Sequence, residues 1–241
     1  RAILQHHFDE YLQYGGFPEG INLPSKRDYL MSVYQKIYLG DIAARHRIEN
    51  AFALRFLFKK LSESIMQPLS FTRLANLITS TGSKISKATV INYMEYAKDS
   101  YLIFSIKNIA SHIAEREGNP KYYFVDNGII SLLTLNAESA LLENMVAMEL
   151  MRRYGQDNQV FFYNDKVEVD FYIPETGTAI QVSMYPHESD ETWRRETEAL
   201  VRMNKHLPCS THLLLTMNEE DTIIIDDITI HMIPIWKWLL N

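Results

Sequence analysis

Residues 168–183, EVDFYIPETGTAIQVS, limit what the chain can fold into more than any other stretch. Two apolar runs flank a turn that carries a proline and a glycine, which is the outline of a β-hairpin. Ahead of it, SALLENMVAMELMRRYG repeats apolar residues at helical spacing, and QVFFY reads as a strand. Behind it come a helix over 189–206, the strands THLLLTM, DTIIID and ITIHMI, and a short closing helix, PIWKWLL. The order α-β-β-β-α-β predicts an α/β domain over the second half, with strands short enough to be buried on both faces.

The first half has a different texture. A short helix is expected over the first residues, stopped at YGGFPEG by two glycines and a proline. A second is expected over 28–50, and AFALRFLFKKLSESI continues as a third. A compact trio follows: a short helix SFTRLANLI with Ser70 as N-cap, the turn TSTGSKIS, and a longer helix KATVINYMEYAKDS. With the apolar strand YLIFSI after it, this is the outline of a winged helix-turn-helix. The polar loop ASHIAEREGNP and the run KYYFV are expected to close the wing.

Charge is distributed unevenly. Residues 1–140 hold 16 basic against 13 acidic residues, a balance of +3, and residues 141–241 hold 8 against 17, a balance of −9. An acidic second half repels nucleic-acid phosphates unless metal ions or a local basic patch intervene. The single cysteine, Cys209, leaves neither a disulfide framework nor a cysteine zinc site. The opening RAILQHHFDEYLQ is amphipathic and charged, unlike a secretory signal, and no apolar run approaches the roughly 20 residues that cross a bilayer. A cytoplasmic setting without a membrane partner is expected.

Two stretches carry residues with chemistry. Metal-dependent hydrolysis of a phosphodiester needs hard anionic oxygens converging on Mg²⁺, with a lysine to orient water and balance charge. Metal-dependent nucleases supply these from an Asp on one strand and a Glu-x-Lys on the next. Here Asp170 stands in place, Glu143 offers a carboxylate from the preceding helix and Glu149 a weaker second, but Gln181 and Ser183 occupy the Glu and Lys positions. A neutral amide binds Mg²⁺ less strongly than a carboxylate, and serine has no positive charge. Lys166, Arg194 and Arg195 are the nearest substitutes in sequence. The favoured reading is that Asp170 and Gln181 form hydrogen bonds that fix the sheet edge or the helix docked on it.

The second stretch is the helix-turn-helix. Lys84, Lys87 and Asn92 are candidate nucleic-acid contacts, but the same helix carries Glu95 and Asp99, which face phosphates badly. A docking or structural role is favoured over DNA reading. The eight histidines fall in no metal-ligand spacing, and no phosphate-binding Gly-Lys-Ser/Thr loop occurs.

Several stretches taken in order resemble a known family: FDEYLQYGGFPE, YLGDIAARHRIEN, ATVINYMEYAKDSYLIFSI, KYYFVDNGI, LLENMVAMELMRRYG, EVDFYI, AIQVS and ETWRRETEAL. Together they are similar to the C-terminal domain of unknown function of the archaeal-type P-loop AAA ATPases. The resemblance implies an α+β chain with a helical linker over 1–50, a winged helix-turn-helix over 51–127, and a restriction-endonuclease-like domain with a central mixed sheet over 128–241. It implies an ATPase module ahead of Arg1, with ATP and Mg²⁺ as that module's cofactors and none held by this chain. It also implies an interaction or regulatory role towards that module and an unidentified protein partner, carried by an inactive nuclease-like domain; the alternatives are a metal-dependent nuclease and a DNA-binding winged helix. Glu143, Asp170, Gln181 and Ser183 match the nuclease positions. The Arg195-Glu196 pair matches a family motif and reads as a polar latch, Arg195 reaching Asp170 or Glu168 from the helix.

Overall fold

In a computed structural model of the chain, residues 2–111, 119–155 and 159–240 are described. The chain forms two units. One takes Asp9–Ser105 and Gly118–Ala137; the other takes Arg1–Phe8, Ile106–Glu117 and Glu138–Asn241.

The first of these units is mostly helical. It holds the second part of α1 (Ala2–Tyr14), from Asp9 on, then α2 (Lys26–Gln35), which runs on as a π-helix over Lys36–Ala44. The sequence predicts one regular helix here, and the departure has a cause in the spacing. Leu30, Tyr34, Tyr38 and Ile42 are all buried and lie strictly four apart. In an ideal α-helix a four-residue step drifts by roughly 40° around the axis. The wider π turns offset that drift and keep the stripe on one face. Tyr34 stacks on Tyr38, Tyr38 meets Phe58 edge-on, and its hydroxyl donates to the carbonyl of Ala51 at 3.0 Å.

Next come α3 (Ala51–Ser62), α4 (Phe71–Ser80) and α5 (Lys87–Asp99). Their N-caps are built from side chains as the sequence predicts for Ser70: Asn50, Ser70 and Ser86 accept from the N–H groups of Ala53, Arg73 and Thr89. α4 packs on both α3 and α5. Strand β1 (Ile103–Asn108) starts in this unit, and β2 (Lys121–Phe124) is its bonded neighbour. The loop expected to complete a wing lies largely outside the described residues.

A seven-residue helix not expected from the sequence, α6 (Asn127–Leu133), closes the unit. Its N-cap, Asp126, is buried and accepts from the N–H of Gly128 at 2.8 Å and of Gly16 at 2.7 Å. Asn127 donates to the carbonyl of Leu12 at 3.0 Å, and Ser131 to that of Gln13 at 2.7 Å. The last carbonyls of α1, which a helix end leaves without intrahelical partners, are thus capped by side chains of α6. Gly15 has φ +76°, and a Cβ there would fall 1.8 Å from the Asp126 carboxylate. The double glycine that stops α1 is also the seat for Asp126.

The other unit is a helix-covered mixed sheet. Helix α7 (Glu138–Tyr154) leads into β3 (Phe161–Asn164), β4 (Glu168–Ile173) and β5 (Thr178–Ser183). Helix α8 (Asp190–Met203) connects to β6 (Thr211–Thr216), then β7 (Asp221–Ile225), β8 (Ile228–Pro234) and the short α9 (Ile235–Trp238). From the end of β1 the strand order is β1-β3-β4-β5-β6-β8-β7. The β3–β4, β4–β5 and β7–β8 pairs are antiparallel, while β1–β3, β5–β6 and β6–β8 are parallel. Ala199, Leu200, Val201 and Met203 of α8 pack with Val169, Tyr172, Leu214, Ile230 and Met232 in one core. Burial on both faces holds for β5; it fails for β7, which is exposed or half-buried along its whole length.

Two outcomes test the Asp126 seat. Gly15→Ala should lower stability in urea by about 2 kcal/mol or more, because it combines a positive φ with a steric conflict. Burial pushes the Asp126 carboxyl up from 3.8 to about 6, against the pull of its two backbone N–H groups. Its contribution to stability is therefore full below about pH 4 and is lost as pH rises through about 6. That slope in unfolding free energy should vanish in Asp126→Asn.

Candidate functional site

The hairpin of β4 and β5 is in register at Ile173↔Thr178, Tyr172↔Ala179 and Phe171↔Ile180. One residue further on, side chains take over from the backbone. The N–H of Asp170 donates to Oε1 of Gln181 at 2.8 Å, and the N–H of Val182 donates to Oδ2 of Asp170 at 3.0 Å. Both are backbone donors that the fold must satisfy, and both are satisfied by the polar residues singled out in the sequence.

Gln181 has a second partner. Its Nε2 donates to Oε2 of Glu196 on α8 at 2.8 Å. Gln181 and Glu196 are each only 4 % exposed, so the bond is made in a desolvated setting where an unmet polar group is costly. The amide is suited to the place: one end accepts from a strand, the other donates to a carboxylate. A glutamate at 181 could accept from Asp170 but would set its charge against Glu196. The neutral residue follows from the acid on the helix.

Arg195 completes the group. Its Nη2 and Nε donate to Oε1 of Glu196 at 2.6 and 3.1 Å. The sequence points Arg195 at Asp170 or Glu168; the hydrogen bonds resolved here go to its own neighbour, while Asp170 and Glu168 lie close enough to add to its field. The Glu196 contact comes first in holding Arg195 above its ordinary pKa, with Asp170 and Glu168 behind it. For Glu196 the balance goes the other way. Burial pushes its carboxyl up, the nearby Asp170 charge adds to that, and the bonds from Arg195 and Gln181 only partly offset them. Since the arginine side chain is itself 71 % exposed, water screens its half of the pair, and burial dominates.

The remaining candidates have other surroundings. Glu143 is buried on α7, which packs on β5. Glu149 is bound by Arg152 and Arg153, both at 2.5 Å. Ser183 is buried at the end of β5, in register with Thr216 of β6. Lys166 and Arg194 are exposed. Among the described residues no three His, Cys, Asp or Glu side chains are grouped so as to hold a metal ion. The donor set explains this chemically. Asp170 and Gln181 already accept backbone N–H groups, Gln181 is neutral, and both oxygens of Glu196 accept bonds from Arg195 and Gln181. These residues do not fit a hard divalent cation.

In the helical unit, Lys84 and Lys87 are exposed at the entry to α5, and Asn92 is exposed further along it. Asn92 shares its face with exposed Glu95 and Asp99, at three- and four-residue steps. Lys87 lies five residues from Asn92, roughly 140° around the axis. The basic residues and the amide thus do not form one reading face. Among the described residues, no helix is long and apolar enough to cross a membrane.

Residues 5–140 match a family model described as a domain of unknown function (DUF8612), and the chain belongs to that family. It is also similar to an uncharacterized protein of Methanocaldococcus jannaschii, 32 % identical over the whole of this chain and 57 % of that protein. A second relative, an uncharacterized protein of Haemophilus influenzae, is 27 % identical over 97 % of this chain and 58 % of its own length. The chain therefore spans less than three fifths of the length of these relatives. The family model covers the helical unit and the start of α7; the cluster around Gln181 lies beyond it, within the span shared with both relatives.

The Gln181–Glu196 bond should be measurable. A double-mutant cycle with Gln181→Ala and Glu196→Ala should return a coupling of about 1 kcal/mol or more, as for a hydrogen bond to a charged group. The raised carboxyl of Glu196 means its contribution is full below its unfolded pKa of 4.5 and is lost as pH climbs through the folded value. Glu196→Gln should flatten that part of the stability profile.

Proposed function

We propose that the chain is the interaction and regulatory part of a longer P-loop ATPase, and that its sheet domain descends from a metal-dependent nuclease and no longer cuts. In this reading residues 1–50 link to the ATPase module, 51–127 form a winged helix-turn-helix, and 128–241 form a restriction-endonuclease-like domain. The relatives carry more than two fifths of their length outside the matched span, which leaves room for such a module with its ATP and Mg²⁺. An unidentified protein is the expected partner.

The observation that carries the reading is the use made of the nuclease positions. Asp170 and Gln181, which the resemblance assigns to nuclease positions, are engaged in holding β4 and β5 to each other, and Gln181 also bonds to α8. Arg195 and Glu196 supply a compensated charge pair in the same place. A movement of α8 would pull through Glu196 on the Gln181 side chain, whose other end ties β5 to β4.

The rival reading is a metal-dependent phosphodiesterase built on Glu143, Asp170 and Gln181, with Arg195 serving as the positive group. Titration calorimetry with Mn²⁺ separates the two. No Asp170-dependent binding at millimolar Mn²⁺, and no cleavage of DNA or RNA, is expected. Binding or cleavage that disappears in Asp170→Ala would overturn the proposal. Gln181→Glu should behave oppositely to the native chain: less stable alone, because three carboxylates then converge, and stabilised by Mn²⁺.

A further inference from the structure

Among the described residues the sheet ends at β7, which has β8 as its one bonded strand. The chain returns from β7 to β8 through Asp226 and Asp227, both with positive φ (48° and 63°). Ile225↔Ile228, Ile223↔Ile230 and Asp221↔Met232 are partners across this two-residue turn. A tight turn of this kind makes the closing pair a hydrogen-bonded one, and such pairs recur at every second residue. The N–H and C=O groups of Thr222 and Ile224 consequently point away from β8. The N–H of Thr222 is taken by its neighbour Asp221 at 2.7 Å. The carbonyl of Thr222 and both backbone groups of Ile224 are left aimed outward.

The side chains suit pairing too. Ile223 and Ile225 pack on the core beneath, while Ile224 is 71 % exposed on the other face. Thr222–Ile225 is an unbroken β-branched run with no proline or lysine to guard it.

Charge selects the occupant. Asp221 closes one end of the strand and Asp226 and Asp227 the other; among the described residues none of the three has a basic ion-pair partner. The nearby Glu219 and Glu220 differ, being held by His187 and Lys237. Asparagine and glycine fit such a turn with less strain than two aspartates, and the two acids give this end of the strand a double negative charge. A second copy paired antiparallel about Ile224 would bring its Asp221 opposite Asp227, acid against acid. We propose that β7 takes up an extended protein segment whose β-branched core is bounded by Lys or Arg at both ends, by strand addition to the sheet. The inference stands apart from the reading of the Gln181 cluster.

The test uses the 241-residue chain and the labelled peptide Lys-Thr-Val-Thr-Val-Lys, followed by fluorescence anisotropy and by amide exchange at Ile224. Binding should slow exchange at Ile224 by about tenfold or more. The same peptide with Glu ends should bind about tenfold more weakly, with the difference shrinking in salt. Ile224→Pro, which removes one outward N–H at an edge position that tolerates proline, should abolish binding. Asp226→Asn with Asp227→Gly keeps the turn and removes its charge, so it carries the test if the proline variant fails to fold; it should weaken binding about fivefold. Equal binding of the two peptides, no protection at Ile224, or protection of Ile224 by self-association alone would each overturn the proposal.

Discussion

The arrangement of the sheet unit hangs on the amide of Gln181. It stands where backbone pairing between β4 and β5 gives way to side chains, and it bonds to a strand with one end and to a helix with the other. Both of its partners are poorly placed without it: the Asp170 N–H would lose its acceptor, and the buried Glu196 would lose a donor. An apolar residue of the same size could fill the space, but it would leave those two groups unmet in a setting where that is expensive. The residue that looks like a loss from a catalytic pattern is, in this chain, a structural requirement.

Electrostatics in this region follow from the same contact. Glu196 is acidic, buried and close to Asp170, a combination that disfavours ionisation. Arg195 lies outside, largely in water, and reaches in to one carboxylate oxygen. The result is a short polar relay from solvent to the middle of the hairpin. Both oxygens of Glu196 and both ends of the Gln181 amide are taken up within it. The acidic balance of residues 141–241 is consistent with that.

Much of the layout was legible in the sequence because it is written locally. Apolar periodicity marked α4, α5, α7 and α8, and the Pro/Gly turn marked the β4–β5 hairpin; Ser70 identified its own helix start. Asp170 and Gln181 could be paired because opposite residues of a hairpin are fixed by its turn. The departures all depend on distance in sequence or on subtle twist. Nothing near Arg195 shows that Gln181 will claim the other oxygen of Glu196. The π-helix after Gln35 depends on a four-residue stripe whose drift is small over any one turn. Helix α6 is too short to carry a period, and its N-cap has partners more than a hundred residues away.

That last separation bears on how the protein is made. The turn at Gly15 and Gly16 and the cap at Asp126 are 110 residues apart, and neither has its proper partner until both exist. At ordinary rates of synthesis the wait is roughly 5–20 s. Through that interval the end of α1 keeps its carbonyls uncapped, and the helices between have no α6 to close against. The glycines at the start leave room for a side chain that is synthesised 110 residues later.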